Sequence, residues 1–210
     1  MRCLTLRRSA APEAGQSLVE FGLVLPILLV LLLTVVDFGR IFSAGIVIES
    51  AARAAAETGA AEYLRESMRV APGPITTTGY ASIHQAAWQS ICDEAAGLPN
   101  ATPGSGGGEC SGLPTVVCVH DDADPLCANA YNASGGIPSE CPNLESGTRP
   151  TNTMLAESGV EPPHPYVEVR VCYRFTALLR MEIPWVGGSI SPIGGDFFIE
   201  RIRTFNVANY

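Results

Sequence analysis

The chain contains no lysine, and its 13 basic residues are all arginine, set against 21 acids for a net charge of −8. Those arginines are dispersed and form no dense basic stripe that could follow a phosphate backbone, so nucleic acid is not an expected partner. Catalytic signatures are also missing. There is no G-x-S-x-G, no H-E-x-x-H and no glycine loop built to cradle phosphate, and His84, His120 and His164 are scattered. The expectation is a protein that is not an enzyme and needs no cofactor. No two cysteines stand at C-x-x-C spacing, which disfavours a zinc site. Asp121, Asp122 and Asp124 gather hard oxygen ligands, yet the glycine and closing glutamate of a calcium loop do not follow. That cluster is expected to be a solvated acidic turn, with no metal bound.

One long apolar run is present. From Leu18 to Val36 the only strongly polar residue is Glu20, and at the helical rise this stretch is about 28 Å long, enough to cross a hydrocarbon core. Arg2, Arg7 and Arg8 precede it, whereas Asp37 and Arg40 roughly cancel after it. The positive-inside rule then puts the N-terminus in the cytoplasm and the bulk of the chain outside, as a single-pass protein of the cell membrane in contact with lipid. The run is longer than the apolar core of an ordinary cleaved secretory signal. Pro26, mid-span, predicts a kink tolerated by lipid-buried neighbours. Asp37 and Arg40 are expected to act as interfacial anchors. Ile41, Ala44, Gly45, Ile48, Ala51, Ala52 and Ala55 continue at helical spacing, so one helix is expected from about residue 18 to 68. Its small-residue stripe faces either the protein's own globular part or other subunits.

Cys92, Cys110, Cys118, Cys127, Cys141 and Cys172 follow the span, and Cys3 precedes it. Six cysteines in a glycine- and proline-rich region beyond a membrane predict up to three disulfides, with the pairing open. A second helix is expected near residues 78–96, with Ile83, Ala87, Trp88 and Ile91 on its apolar side. The stretch "ATPGSGGGECSG" is expected to be a flexible loop and "LPTVVCVH" a short strand. In "PYVEVRVCYRFTALL", Val167, Val169, Val171 and Tyr173 alternate with Glu168, Arg170 and Arg174, the pattern of a half-buried strand. "DFFIERIRTFNVA" alternates with a change of phase. The fold expected is α+β: a long N-terminal transmembrane helix continuing into an exterior helix, then a small antiparallel-sheet head with a second helix, as in pilin-like proteins.

Glu20 is anomalous, because a carboxylate inside a span costs about 2–3 kcal/mol on insertion scales. It stands five residues after Gly15, with the basic segment upstream. Basic leader, Gly, four residues, Glu and then an apolar run resembles the type IV prepilin signal. The resemblance implies cleavage between Gly15 and Gln16 by a prepilin peptidase, after which Glu20 meets the new N-terminal amine of a neighbouring subunit. "GQSLVEFGLVLPILLVLLLTVVDFGRIF", with Glu20-Phe21, Leu-Val-Leu-Pro and a closing Asp-Phe-Gly-Arg, resembles the TadE-like family, pseudopilins of the tight-adherence (Flp pilus) machinery. "IESAARAAAETGA" resembles that family's continuation. The resemblance covers about residues 14–61 and implies these segments: 1–15 a cytoplasmic leader, 16–37 the transmembrane helix, 38–71 its exterior continuation and 72–210 an exterior disulfide-containing head. It further implies other pilin or pseudopilin subunits and an inner-membrane pilus platform as partners, and a structural role in pilus or type II-like secretion assembly. A single-span surface anchor carrying a binding domain is the alternative from another class.

Overall fold

The structure is a computed structural model that describes residues 16–99, 101–103, 110–121, 131–132, 140–141, 165–178 and 196–207. Leader residues through Gly15, together with Cys3, Asp122, Asp124, Cys127 and His164, lie outside the described residues.

Leucine and valine, then alanine, sustain one helix, α1 (Gln16–Val70), over 55 residues, roughly 82 Å long. It is assigned without a break through Pro26, its one internal proline. Pro72, joined to Ala71 by a cis peptide bond, lies just past its end, where the Gly73 N–H donates to the Val70 carbonyl at 2.7 Å. A second helix, α2 (Thr77–Glu94), starts where Thr76 caps it, its hydroxyl accepting from the Gly79 N–H at 3.2 Å. No acid stands in the first turn of α2, but α1 supplies one from outside. Buried Glu66 places Oε2 3.4 Å from where a Gly79 side chain would begin. A negative charge is favoured at a helix N-terminus.

Two short strands, β1 (Thr102–Pro103) and β2 (Cys110–Ser111), pair in the stretch expected to be a flexible loop. The Cys92–Cys110 disulfide ties that ladder to α2, a long-range constraint that local composition does not express. The main sheet holds β3 (Thr115–His120), β4 (Tyr131–Asn132), β5 (Tyr166–Thr176) and β6 (Asp196–Asn206) in the order β4-β3-β5-β6, antiparallel throughout. The β5–β6 register is unbroken from Tyr166 opposite Asn206 to Thr176 opposite Asp196. The change of phase expected in the last strand is therefore absent. Instead β6 carries apolar residues on both faces, Ile199 and Phe205 on one and Phe198 on the other.

Both helices cover one face of the sheet. Val117, Val119, Val167, Val169, Val171 and Tyr173 pack there against the alanine stripe of α1 and against Ile83, Trp88 and Ile91 of α2. The stripe of α1 beyond residue 44 thus packs on the protein's own head. The approach is close: a Cβ on Gly59 would stand 2.9 Å from Val167 Cγ1 and 3.4 Å from Ala87 Cβ. Direction follows from contacts along the helix, since Asp37 meets Leu178, Gly59 meets Val167 and Tyr63 meets Asp121. α1 therefore runs antiparallel to β5 and in the same direction as β6.

β5 departs from the half-buried expectation. Glu168 and Arg170 are 0% and 3% exposed. Glu168 pairs with Arg170, and its Oε2 is 3.1 Å from His120 Nε2, while His120 stacks on Tyr166 with ring centroids 4.4 Å apart. Alternation of charge along a strand marks the second face but not whether that face is covered. Charge pairing lets these side chains be buried.

Gly59→Val tests the packing. Thermal unfolding should show a domain less stable by about 1–3 kcal/mol. The same change at Gly39, where a Cβ would meet nothing within 4 Å, should leave the melting temperature nearly unchanged.

Candidate assembly site

The residues singled out for processing and assembly occupy the start of α1. Gln16 is the first described residue of the helix, Glu20 follows one turn later and is exposed, and Phe21 is exposed beside it. Gly15 lies outside the described residues. From Leu18 to Val36, 13 large apolar side chains are exposed. Leaving such side chains in water rather than burying them costs about 1.5–3 kcal/mol each, on the order of 20–40 kcal/mol together. A domain is stabilised by only about 5–15 kcal/mol, so this segment requires an apolar surrounding that the described residues do not supply. Among the described residues, α1 is the single helix long and apolar enough to cross a membrane.

Burial begins abruptly at Asp37, which is 7% exposed. Its carboxylate accepts from the Leu178 N–H at 3.0 and 3.2 Å and from Arg40 Nη1 at 3.0 Å. The Arg40 guanidinium carbon in turn lies 5.1 Å from the centroid of the Phe175 ring, within cation–π range. The structure adds fixed partners to the two residues expected to be interfacial anchors. Asp37 and Arg40 form a collar that fastens the end of β5 to the helix, at the level where exposed apolar helix gives way to packed helix. The i,i+3 spacing of Asp37 and Arg40 is visible in the sequence; the backbone partner 141 residues away is not. Phe38, Phe42 and Ile46, on the other side of α1, remain exposed at 68%, 72% and 56%.

Farther up, Asp121 is no solvated turn, since it accepts from Tyr63 Oη at 3.2 Å and from Tyr80 Oη at 2.5 Å. It thereby joins the end of β3 to both helices. Two cysteine pairs are bridged among the described residues: Cys92–Cys110, separated by 18 residues, and Cys141–Cys172, separated by 31. Loop-closure entropy gives such bridges about 3 and 4 kcal/mol in turn. Cys118 is disulfide-bonded as well, and Cys127 lies outside the described residues. No group of three or more His, Cys, Asp or Glu suited to a metal ion occurs among the described residues.

Asp37→Ala should remove the acceptor of the Leu178 N–H in a partly buried bond, a loss of about 0.5–1.5 kcal/mol. Hydrogen exchange at Leu178 should rise, with a smaller rise in Asp37→Asn, which keeps one acceptor oxygen. Unchanged exchange in both variants contradicts the collar.

No curated protein and no solved structure matches the chain. The family model described as TadE-like protein matches residues 15–57, which takes in Gly15, Glu20, Pro26, the Asp37–Arg40 collar and the beginning of the packed stripe. The chain thus carries a TadE-like segment at the start of its long helix.

Proposed function

We propose that this protein is a TadE-like pseudopilin, a structural subunit cleaved between Gly15 and Gln16 by a prepilin peptidase and held in the membrane by α1. Its N-terminus faces the cytoplasm and its head the exterior. There it joins pilin or pseudopilin subunits on the membrane platform of a Flp-type pilus or a related secretion assembly. One observation carries the reading: within the TadE-like match, a helix described from Gln16 onward exposes an apolar length sufficient for a bilayer and holds one carboxylate, Glu20, a turn from its start.

The chemistry at that turn is coherent. Glycine at the cut site lets a peptidase approach the backbone without side-chain obstruction. Cleavage creates an ammonium at Gln16, and a positive charge at a helix N-terminus is unfavourable against the macrodipole. A carboxylate from the adjoining subunit relieves that charge and its own desolvation together, and fixes the axial register of neighbouring helices. Pro26 suits a span that bends into an assembly. The disulfides suit an oxidising exterior.

Co-expression with a prepilin peptidase followed by mass measurement tests the reading. The mature chain should lack residues 1–15, and Gly15→Leu should abolish the loss. Glu20→Ala should still be cleaved but fail to co-purify with assembled pilus. An uncleaved chain that reaches the surface is instead a simple anchored binding domain, and normal assembly of the Glu20 variant removes its pairing role.

A further inference from the structure

The outward side of α1 stays apolar past the collar. Phe38, Phe42 and Ile46 stand four residues apart and so share one side of the helix. All three are exposed, whereas Ala44 and Ile48 on the opposite side are buried in the head. The charges at this level, Asp37 and Arg40, are turned to Leu178 and Phe175 instead. The outward side becomes polar at Glu49, Ser50 and Arg53, where Arg53 pairs with Glu57 in the open. Measured from Leu18 to Ile46, this side is about 42 Å long. A bilayer with its headgroup regions is about 40–45 Å thick. Two more apolar side chains stand at the same end of the head. Leu178, whose N–H reaches Asp37, is 58% exposed, and Phe197, opposite Phe175 in the ladder, is 46% exposed. Outside Leu18–Val36, the large apolar side chains exposed among the described residues are these five and Met68, which lies near the far end of α1. Exposed apolar residues scattered singly need no explanation, but five gathered beside a span do.

We infer that this end of the head is bedded in the membrane surface, with Phe38, Phe42, Ile46, Leu178 and Phe197 touching lipid at the boundary between hydrocarbon and headgroups. Lipid is the occupant because the outward side of α1 continues, with no charged residue on it, from the stretch whose length and composition fit a membrane. Its end at Ile46 matches the thickness of a whole bilayer rather than of the hydrocarbon alone. The ionic groups at the collar are already paired within the chain, as charges beside hydrocarbon need to be. The inference rests on the anchoring proposed above and adds to it the seating of the head. β5 and β6 lie along α1, so the end of β5 and the start of β6 meet the lipid, and the end that holds Tyr63, Tyr80 and Asp121 stands farthest from it.

The test places the photoreactive residue p-benzoylphenylalanine singly at Leu29, Phe42, Ile46, Phe197, Arg53 or Met68 of the full chain, reconstituted in phosphatidylcholine liposomes. Each of these positions is exposed, so the melting temperature should match that of the wild type. Illumination joins the probe to a C–H bond within its reach, and the mass of the product identifies the partner. Phospholipid adducts should form at Phe42, Ile46 and Phe197 in at least tenfold higher yield than at Arg53 and Met68. No lipid adduct at those three positions while Leu29 gives one overturns the inference and leaves the anchoring standing. No adduct at Leu29 either overturns both. A product of twice the mass at Phe42 or Phe197 in place of the lipid adduct assigns the surface to a second copy. A product of unchanged mass joined to residues 179–195 assigns it to the chain itself, and either result overturns the inference.

Discussion

The side chains between Leu18 and Val36 have to leave water, and the described part of the head offers them no place to go. Their exposure corresponds to more free energy than a domain of this size holds in reserve, and a lipid phase is the surrounding that a helix of this length and composition fits. Backbone satisfaction points the same way. A helix closes its own hydrogen bonds, which is what permits a single segment to sit in hydrocarbon. Glu20 is the one carboxylate in this stretch, and the proposed cut after Gly15 would place a new ammonium at the same end of the helix.

Because the same helix continues into the head, its two halves obey different solvents. Below Asp37 large aliphatic residues surround the helix axis; above it, Ala44, Ala51, Ala52, Ala55 and Ala56 form a narrow buried side and bring α1 close to the sheet. The collar of Asp37, Arg40, Phe175 and Leu178 joins these regimes. It also makes the direction of the sheet follow the direction of the helix, so β5 and β6 lie along α1 and any orientation imposed on the helix by a membrane is transmitted to the head. Near the other end, Tyr63, Tyr80 and Asp121 perform the matching attachment.

Elements with strong periodicity are legible in the residues alone. Spacing predicts α1 over 18–68 and the helix spans Gln16–Val70; it predicts α2 over 78–96 and that helix spans Thr77–Glu94. Their apolar spacing and proline boundaries are local properties. Val167, Val169 and Val171 announce a strand for the same reason. What stays hidden depends on distant partners. Glu168 and Arg170 look like a solvent face until His120, 48 residues earlier, is placed beside Glu168. The β1–β2 ladder occupies a glycine-rich stretch beside the Cys92–Cys110 bridge. Asp37 is an ordinary interfacial acid until the Leu178 amide reaches it. At the candidate site, the spacing of Gly15, Glu20 and the apolar run is fully visible, because it is a linear pattern that depends on no distant partner.

The central claim is that one continuous helix changes solvent at Asp37. Spin labels placed singly along residues 18–50 of the full chain in lipid bilayers test it through their accessibility to oxygen and to a water-soluble relaxant. The account predicts oxygen-accessible labels on every side of the helix from 18 to 36. It then predicts a switch at 37, beyond which labels on the Ala44 and Ile48 side are shielded from both reagents. Water-soluble relaxant reaching labels throughout 18–36, or lipid contact continuing on all sides past 44, would contradict it.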